Sequence, residues 1–342
     1  MAKLSRAYLT NLTLLILALA LSIALGAVFI PPETLARMFI THLPGIDINT
    51  NWPDTFNVIL FRIRLPNAAL IALTGAALAS SGAAYQGLFR NPLADPYLIG
   101  VASGAGLGAV IAMSLRWPTD LLGMFSIPVA AFVGATITVS VVYSIARTGK
   151  TLPTTTLILA GVAVGAFASA LTSFMMLRSE GEIRRAISWL LGGSPMSGWN
   201  PVLAALPYIV IGTGILISSG HALNVLQFGD DQAQQLGLPV NRIKAILILA
   251  ASLTTATAVS FSGVIGFVGL IVPHLVRILW GPDYRHLVPL SLLGGATTLL
   301  VADLLARLVL APQELPVGII TALAGAPFFL WVLKRAKQQA FW

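Results

Sequence analysis

The sequence predicts an all-α, polytopic membrane protein with about ten transmembrane helices. Of its 342 residues, 57% are hydrophobic and 9% are charged, whereas roughly 25% of the residues of an average soluble domain are charged. The mean hydropathy is +0.88, and the apolar residues form long runs separated by short polar stretches. Because a membrane-spanning helix needs about 20 apolar residues, these runs predict spans. The composition excludes a soluble enzyme and a disordered chain.

Ten apolar runs have the length of membrane spans, and together they predict one transmembrane domain over residues 1–342. They lie near residues 8–30, 66–86, 97–115, 122–146, 153–177, 201–219, 243–261, 264–280, 287–310 and 317–334. The first run is longer than the roughly 7–15 residues of a cleavable signal core, so we expect it to remain as a helix. The run at 264–280 is short, and a re-entrant or tilted segment is its alternative interpretation. Residues 183–198 are half apolar and predict a short helix at the membrane surface.

The distribution of charge predicts the orientation of these spans. Ten spans place both termini on the same side of the membrane. If that side is the cytoplasm, twelve of the twenty Lys and Arg residues lie inside and eight lie outside, which is the direction of the positive-inside bias. The net charge of +8 does not indicate a nucleic-acid partner, because the basic residues occur in groups of one to three and form no dense patch.

The sequence offers little material for catalysis. It has no cysteine, which excludes disulfides, thiol catalysis and Cys-type metal sites. The four histidines lack the spacing of metal ligands, and no Ser/His/Asp arrangement is visible. Gly149, Lys150 and Thr151 resemble the end of a phosphate-binding loop, but that motif needs a glycine where Ser144 stands. We therefore predict no catalytic residue, no cofactor, no metal site and no enzymatic activity.

The ten apolar runs contain one acidic residue, Asp303. Ion-coupled transporters usually carry several carboxylates or broken-helix ion sites within the membrane. Asp303 lies four residues before Arg307, so an ion pair on one helix face is its simplest interpretation. A chain with so few intramembrane acids that moves a solute uphill would take its energy from a partner.

The longest polar stretch, residues 221–244, predicts two short helices with an exposed turn at Gly229. Asp230 and Asp231 follow that turn, where a helix N-terminus favours negative charge. Gly237 and Pro239 end the second helix. A capped helix in a polar loop indicates a docking element for a cytoplasmic partner.

Several long strings, in order along nearly the whole chain, resemble the permeases of type II ABC importers for iron–siderophore, haem and cobalamin, the FecCD family. They include IRLPNAALIALTGAALASSGAAYQGLFRNPLADPYLIGVASGAGLG at 63–108, GDDQAQQLGLP at 229–239, SGVIGFVGLIVPHLVR at 262–277 and ELPVGIITALAGAPFFLWVLK at 314–334. The resemblance implies a cobalamin-permease-like fold in the prokaryotic plasma (inner) membrane. It also implies the family's partners: a second copy of the permease, two ATPase subunits below and a binding protein above.

The resemblance also implies roles for particular residues. The segment expected to contact the ATPase lies within residues 221–241 and comprises Gly229, Asp230, Asp231, Gln234, Leu236, Gly237 and Pro239. Asn91, Leu93, Thr154 and Thr155 match the cytoplasmic gate. Arg64 and Arg307 match arginines that meet acidic residues of the binding protein. The cobalamin-type pattern has a further arginine where this chain has Asn67, and Arg62 is the candidate to replace it.

Two functions from different classes follow as expectations. The first is the permease subunit of an ATP-driven importer of a bulky metal chelate, whether iron–siderophore, haem or cobalamin. The second is a ten-span secondary transporter or channel that is not coupled to ATP, for which Asp303 would be essential.

Overall fold

The computed structural model shows a helical chain in which helices pack side by side. It describes residues 2–26, 28–41, 52–115, 123–149, 151–178, 181–193 and 196–339. Lys150, which follows Gly149 in the segment that resembles a phosphate-binding loop, lies outside the described residues. Within these ranges the regular elements are helices, and Thr148 and Thr151 form an isolated β-bridge.

Fourteen helices are labelled in chain order over the described ranges. They are α1 (Ala2–Ala24), α2 (Pro32–Ile40), α3 (Asp54–Phe89), α4 (Val101–Ser114), α5 (Ser126–Ala146), α6 (Thr154–Arg178), α7 (Ile183–Leu190), α8 (Trp199–Ser218), α9 (Gly220–Leu226), α10 (Asp230–Gln235), α11 (Val240–Ser262), α12 (Val268–Trp280), α13 (Tyr284–Leu308) and α14 (Val317–Gln339). Short 3-10 turns at Pro96–Ile99 and Gly123–Phe125 lead into α4 and α5.

Each of the ten apolar runs coincides with a helix. Seven helices in the described ranges are long and apolar enough to cross a membrane, and α4, α12 and the apolar part of α14, Val317–Val332, are shorter. The short helix predicted within 183–198 is present as α7. Sequence analysis missed α2 and the first turns of α3, where Val58–Arg64 is π-helical, because these segments contain polar residues and prolines.

The core is built around α11, α3 and α13. The apolar stretch of α11 is 78% buried, against 17% for α1 and 28% for α6. Helices α3 and α13 approach closely because Gly75 and Gly295 face each other. A Cβ on Gly75 would lie 2.2 Å from the carbonyl oxygen of Gly295, so only a residue without a side chain fits there.

Residues 263–267, which connect α11 to α12, interrupt the helix within an apolar stretch and do not form a polar loop. Gly263 and Phe267 both have positive φ, 75° and 69°, and α12 that follows has 13 residues. The Tyr97 hydroxyl donates to the carbonyl of Ile265 at 2.8 Å and accepts from its N–H at 3.2 Å. A helix break inside an apolar bundle needs such partners for its freed backbone groups.

The helices have two polar ends. The α-helical part of α3, Leu65–Phe89, has 25 residues and is therefore about 37 Å long. At one end lie the last turn of α1, Arg64 of α3 and Arg307 of α13, and we call this the arginine end. The other is the hairpin end, named after the α9–α10 hairpin formed by residues 220–239. Helix α1 begins there, since the Tyr8 hydroxyl hydrogen-bonds His286 Nδ1 at 3.3 Å.

Candidate functional site

At the arginine end, Arg64 caps the last turn of α1. Its Nη1 donates to the carbonyl oxygens of Ile23 and Ala24, both at 3.0 Å, and its Nη2 donates to Val28 O. A guanidinium suits this position because the last carbonyls of a helix lack intrahelical partners and carry partial negative charge. Arg64 is 6% exposed, so its charge is held inside the fold.

Arg307 caps the same turn from α13 and pairs with Asp303. Its side chain bonds the Asp303 carboxylate at 2.9 Å and donates to Ser22 Oγ at 2.8 Å. Asn67 also donates to Asp303 Oδ2, at 3.5 Å. The predicted i,i+4 pair between Asp303 and Arg307 is thus present, and both side chains are largely buried.

Two cavities open at the arginine end. The first, of about 390 Å³, is lined by Arg64, Asn67, Asp303, Arg307 and Glu314, among others. The second, of about 580 Å³, lies beside α7 and shares Glu314 with the first. The two guanidiniums are therefore reached through a cavity and do not project from the surface.

Arg62 differs from both of these arginines. It lies two residues before Arg64, in the π-helical turn of α3, and its side chain is exposed. Of the three arginines expected to meet a binding protein, this one presents its cation freely.

At the hairpin end, α9 is tied to α3 and α13. Asn224 donates to Asp283 Oδ1 at 2.7 Å and accepts from the N–H of Tyr284 at 2.9 Å. Gln227 Nε2 donates to the carbonyl of Gly87 at 3.0 Å. The hydrogen bonds that Arg285 donates to Asp283 hold the pKa of this carboxyl well below its ordinary value, so the Asn224 contact is made to a charged acceptor.

Helix α10 has the turn and caps that the sequence predicts. Gly229 precedes it with a φ of 102°, a conformation that favours glycine. At its end Gly237 has a φ of 85°, and the N–H groups of Gly237 and Leu238 donate to the carbonyls of Gln234 and Ala233, each at 3.0 Å. This is a Schellman motif, which ends a helix sharply.

The outer face of the α9–α10 hairpin is exposed. Leu236 is 68% exposed and Phe228 is 64% exposed, whereas Ala233 is buried against the rest of the protein. Asp231, Gln234 and Pro239 are exposed as well. Asp230 is different, because its carboxylate accepts a 2.5 Å hydrogen bond from the buried ammonium of Lys244.

The expected gate residues lie on two neighbouring segments. Asn91 is exposed in the turn after α3, and its side-chain oxygen accepts from the N–H of Leu93 at 2.9 Å. Thr154 and Thr155 form the first turn of α6. Helix α6 packs on the 3-10 turn that follows Asn91, since a Cβ on Gly161 would lie 2.1 Å from the carbonyl of Leu98.

Asp95 is a titratable group in the same turn. Its carboxylate accepts from the N–H of Tyr97 at 2.8 Å and so caps the 3-10 turn Pro96–Ile99. Burial raises the pKa of the Asp95 carboxyl to about 6. Sequence analysis did not single out this residue.

Other contacts were also beyond sequence reasoning. Ser22, Asn224 and Gln227 carry no motif of their own. Lys244 is the last residue of the polar stretch 221–244, and its place directly before the apolar run of α11 is a signal that could have identified it. Within the described ranges no group of three His, Asp or Glu side chains could hold a metal ion.

Residues 14–335 match the FecCD transport family. The chain belongs to this family. It is 49% identical over 288 residues to the cobalamin import system permease protein BtuC of Halobacterium salinarum, with 84% of this chain and 76% of that protein covered. It is 41% identical over 298 residues to the hemin transport system permease protein HmuU of Yersinia pestis, with 85% and 87% covered.

A solved structure supports the same assignment. An inward-facing structure of an ABC transporter assigned to the metal-chelate type superposes with a TM-score of 0.80 at 28% identity, covering 97% of this chain and 99% of that one. The resemblance seen in the sequence is therefore confirmed, and the chain is a permease subunit of the ABC importer type. Family members act with a partner permease, ATPases and a substrate-binding protein.

Proposed function

We propose that this permease carries a bulky metal chelate across the prokaryotic plasma (inner) membrane, driven by ATP hydrolysis in separate subunits. The observation that carries the proposal is the family match over residues 14–335. Its relatives named for cobalamin and hemin transport make a metal-bearing macrocycle the first candidate substrate, with iron–siderophore chelates as the next.

The arrangement of the helices supports ten spans with both termini in the cytoplasm. Helix α1 starts at the hairpin end. Helix α14 starts at the arginine end, because Gly318 N–H donates to the carbonyl of Leu191 after α7 at 3.0 Å. The hairpin end is then cytoplasmic and the arginine end is outside. Two copies of the chain form the translocation path between them.

The two ends then meet different partners. The exposed face of the α9–α10 hairpin, with Asp231, Gln234, Leu236, Gly237 and Pro239, contacts one ATPase subunit. Gly229 and Asp230 shape the hairpin that presents this face. At the arginine end Arg62 meets the acidic binding protein first, because its charge is exposed. A carboxylate that enters the 390 Å³ cavity can approach Arg64 and Arg307, because both line it.

The cytoplasmic gate is proposed on the two neighbouring segments described above. Asn91 and Leu93 lie in the turn after α3, and Thr154 and Thr155 are the first two residues of α6. Support comes from their position at the hairpin end, where motion of an ATPase would reach them first.

The contacts of Asp303 argue against the secondary-transporter alternative. An ion-coupling carboxylate must be free to bind and release its ion. Asp303 is bonded to Arg307 and Asn67, which is the environment of a structural ion pair.

Uptake in proteoliposomes tests the proposal. The permease, its ATPase and its binding protein are reconstituted, and cobalamin, haem and a ferric siderophore are offered in turn. We expect uptake of one of these that requires hydrolysable ATP, the ATPase and the binding protein. Uptake driven by a proton gradient without the ATPase would contradict the proposal.

A further inference from the structure

Helix α10 cannot hold its position by itself. It has six residues, and isolated helices shorter than about 12–15 residues are marginal in water. Its side chains are mostly exposed, and Ala233 is its one buried residue. The contacts that α10 makes with the spans therefore decide where it points.

The ion pair between Lys244 and Asp230 is unusual because its ammonium group is buried. Lys244 is 3% exposed, and its Nζ lies 2.5 Å from Asp230 Oδ2. A buried ammonium is costly unless it is paired. Apolar residues of the same volume would often give equal or greater stability than a buried ion pair. We therefore infer that this pair serves to fix the position of Asp230 relative to α11.

Lys244 lies in the second turn of the central span. Helix α11 runs from Val240 to Ser262, and at its other end Ser262 Oγ lies 2.6 Å from Thr74 Oγ1 of α3. A displacement of α10 that is passed to Lys244 therefore reaches the most buried helix. The helix break that Gly263 begins lies at the far end of the same span.

The rest of the hairpin is attached elsewhere. Asn224 and Gln227 tie α9 to α13 and α3. Within the described residues, one side chain of α10 forms a hydrogen bond with a membrane span: Asp230 accepts from Lys244 of α11.

We propose that Lys244 is a positioning residue for ATP coupling: its buried ammonium holds Asp230, fixes the orientation of α10 and passes the motion of the ATPase into α11. This inference rests on the proposed function of the hairpin as the ATPase contact.

The test uses the full importer in proteoliposomes and measures the amount of chelate taken up per ATP hydrolysed. Lys244→Met removes the charge and keeps the length of the stem. Asp230 is 47% exposed, so Lys244→Met leaves its carboxylate in contact with water, and the double variant Lys244→Met/Asp230→Asn removes both charges. The matched control is Arg242→Met, which removes an exposed cation from the same end of α11.

We expect Lys244→Met to lower uptake per ATP about tenfold, within the usual range of coupling between sites, while ATP hydrolysis continues. The double variant should unfold at a temperature close to that of the wild type, because neither charge is stranded, and its uptake per ATP should stay low. Arg242→Met should keep the wild-type ratio.

Two results would overturn the inference. In one, Lys244→Met keeps the wild-type uptake per ATP. In the other, the double variant recovers both its thermal stability and its uptake per ATP, which assigns the pair a purely structural role. A wild-type importer without ATP-dependent uptake would overturn the proposed function itself, and this inference with it.

Discussion

The arginine end and the hairpin end both contain a buried cation that is paired with a carboxylate, but they differ in what they leave exposed. At the arginine end, Arg64 and Arg307 are turned inward onto carbonyls of α1 and onto Asp303. At the hairpin end, hydrogen bonds anchor the base of the α9–α10 hairpin, and its outer face, with Phe228 and Leu236, is left exposed. In this chain the buried charges at both ends fix the positions of helices. The surfaces proposed for partners therefore differ from these charges in being exposed.

The largest expected effect comes from stranding a buried charge at the arginine end. Arg307→Met leaves Asp303 without its ion partner and removes hydrogen bonds to α1. Breaking a buried pair by removing one partner costs about 3–5 kcal/mol, so we expect a marked drop in thermal stability in detergent. The matched control is Arg62→Met at the same end. Equal melting temperatures for the two variants would show that the contacts of Arg307 with Asp303 and α1 do not stabilise the fold.

Asp95, a partly buried acid in the turn after α3, allows a test by pH. Burial raises the pKa of the Asp95 carboxyl to about 6, above the ~3.9 of an unfolded chain. Its contribution to stability is therefore complete below about pH 4 and is lost as the pH rises through about 6.

Asp95→Asn removes this titration and keeps an oxygen that can accept from the N–H of Tyr97. Relative to the wild type, the variant should gain up to about 3 kcal/mol between pH 4 and pH 7.5. Thermal unfolding at four pH values across this range measures the difference. If the stability of the wild type and that of Asp95→Asn changed with pH in the same way, the assignment of a raised pKa to Asp95 would be contradicted.

A smaller effect is expected on the exposed face of the hairpin. Leu236→Ser removes an apolar side chain that is 68% exposed, so the stability of the isolated permease should stay within about 0.5 kcal/mol. Its affinity for the ATPase should fall by roughly 1–2 kcal/mol, as for a moderate interface contact. Titration of the detergent-solubilised permease with its ATPase measures this. A loss of stability with unchanged affinity for the ATPase would show that Leu236 supports the fold and does not contact the ATPase.

The smallest effect on the permease itself is expected at Arg62. Arg62→Met should leave the free energy of unfolding of the permease within about 0.5 kcal/mol of the wild-type value. Association with the proposed binding protein should become slower and less dependent on salt, because exposed rim charges act mainly on the association rate. Stopped-flow association at low and high salt tests this, and unchanged rates would remove Arg62 from the docking surface.

The parts of this structure that local pattern controls were predictable from the sequence. The ten apolar runs correspond to helices, and Gly229 and Gly237 mark the limits of α10. The spacing of Asp303 and Arg307 predicts their pair. These features depend on residues close together in the chain.

What could not be predicted depends on residues that are far apart in the chain. Arg64 meets carbonyls about 40 residues earlier, and Asn224 meets Asp283 after 59 residues. Sequence patterns identify a cation or an amide but not the backbone group that it will find. For that reason the resemblance assigns Arg64 to docking without indicating that the fold buries its side chain against α1.

Because the chain has no cysteine, site-specific crosslinking tests the difference between the two ends most directly. Single variants Leu236→Cys and Arg62→Cys are prepared in the assembled importer and treated with a short crosslinker that joins the thiol to nearby lysines. The account predicts that Leu236→Cys crosslinks to the ATPase and Arg62→Cys to the binding protein. Crosslinking of Arg62→Cys to the ATPase, or of Leu236→Cys to the binding protein, would contradict it.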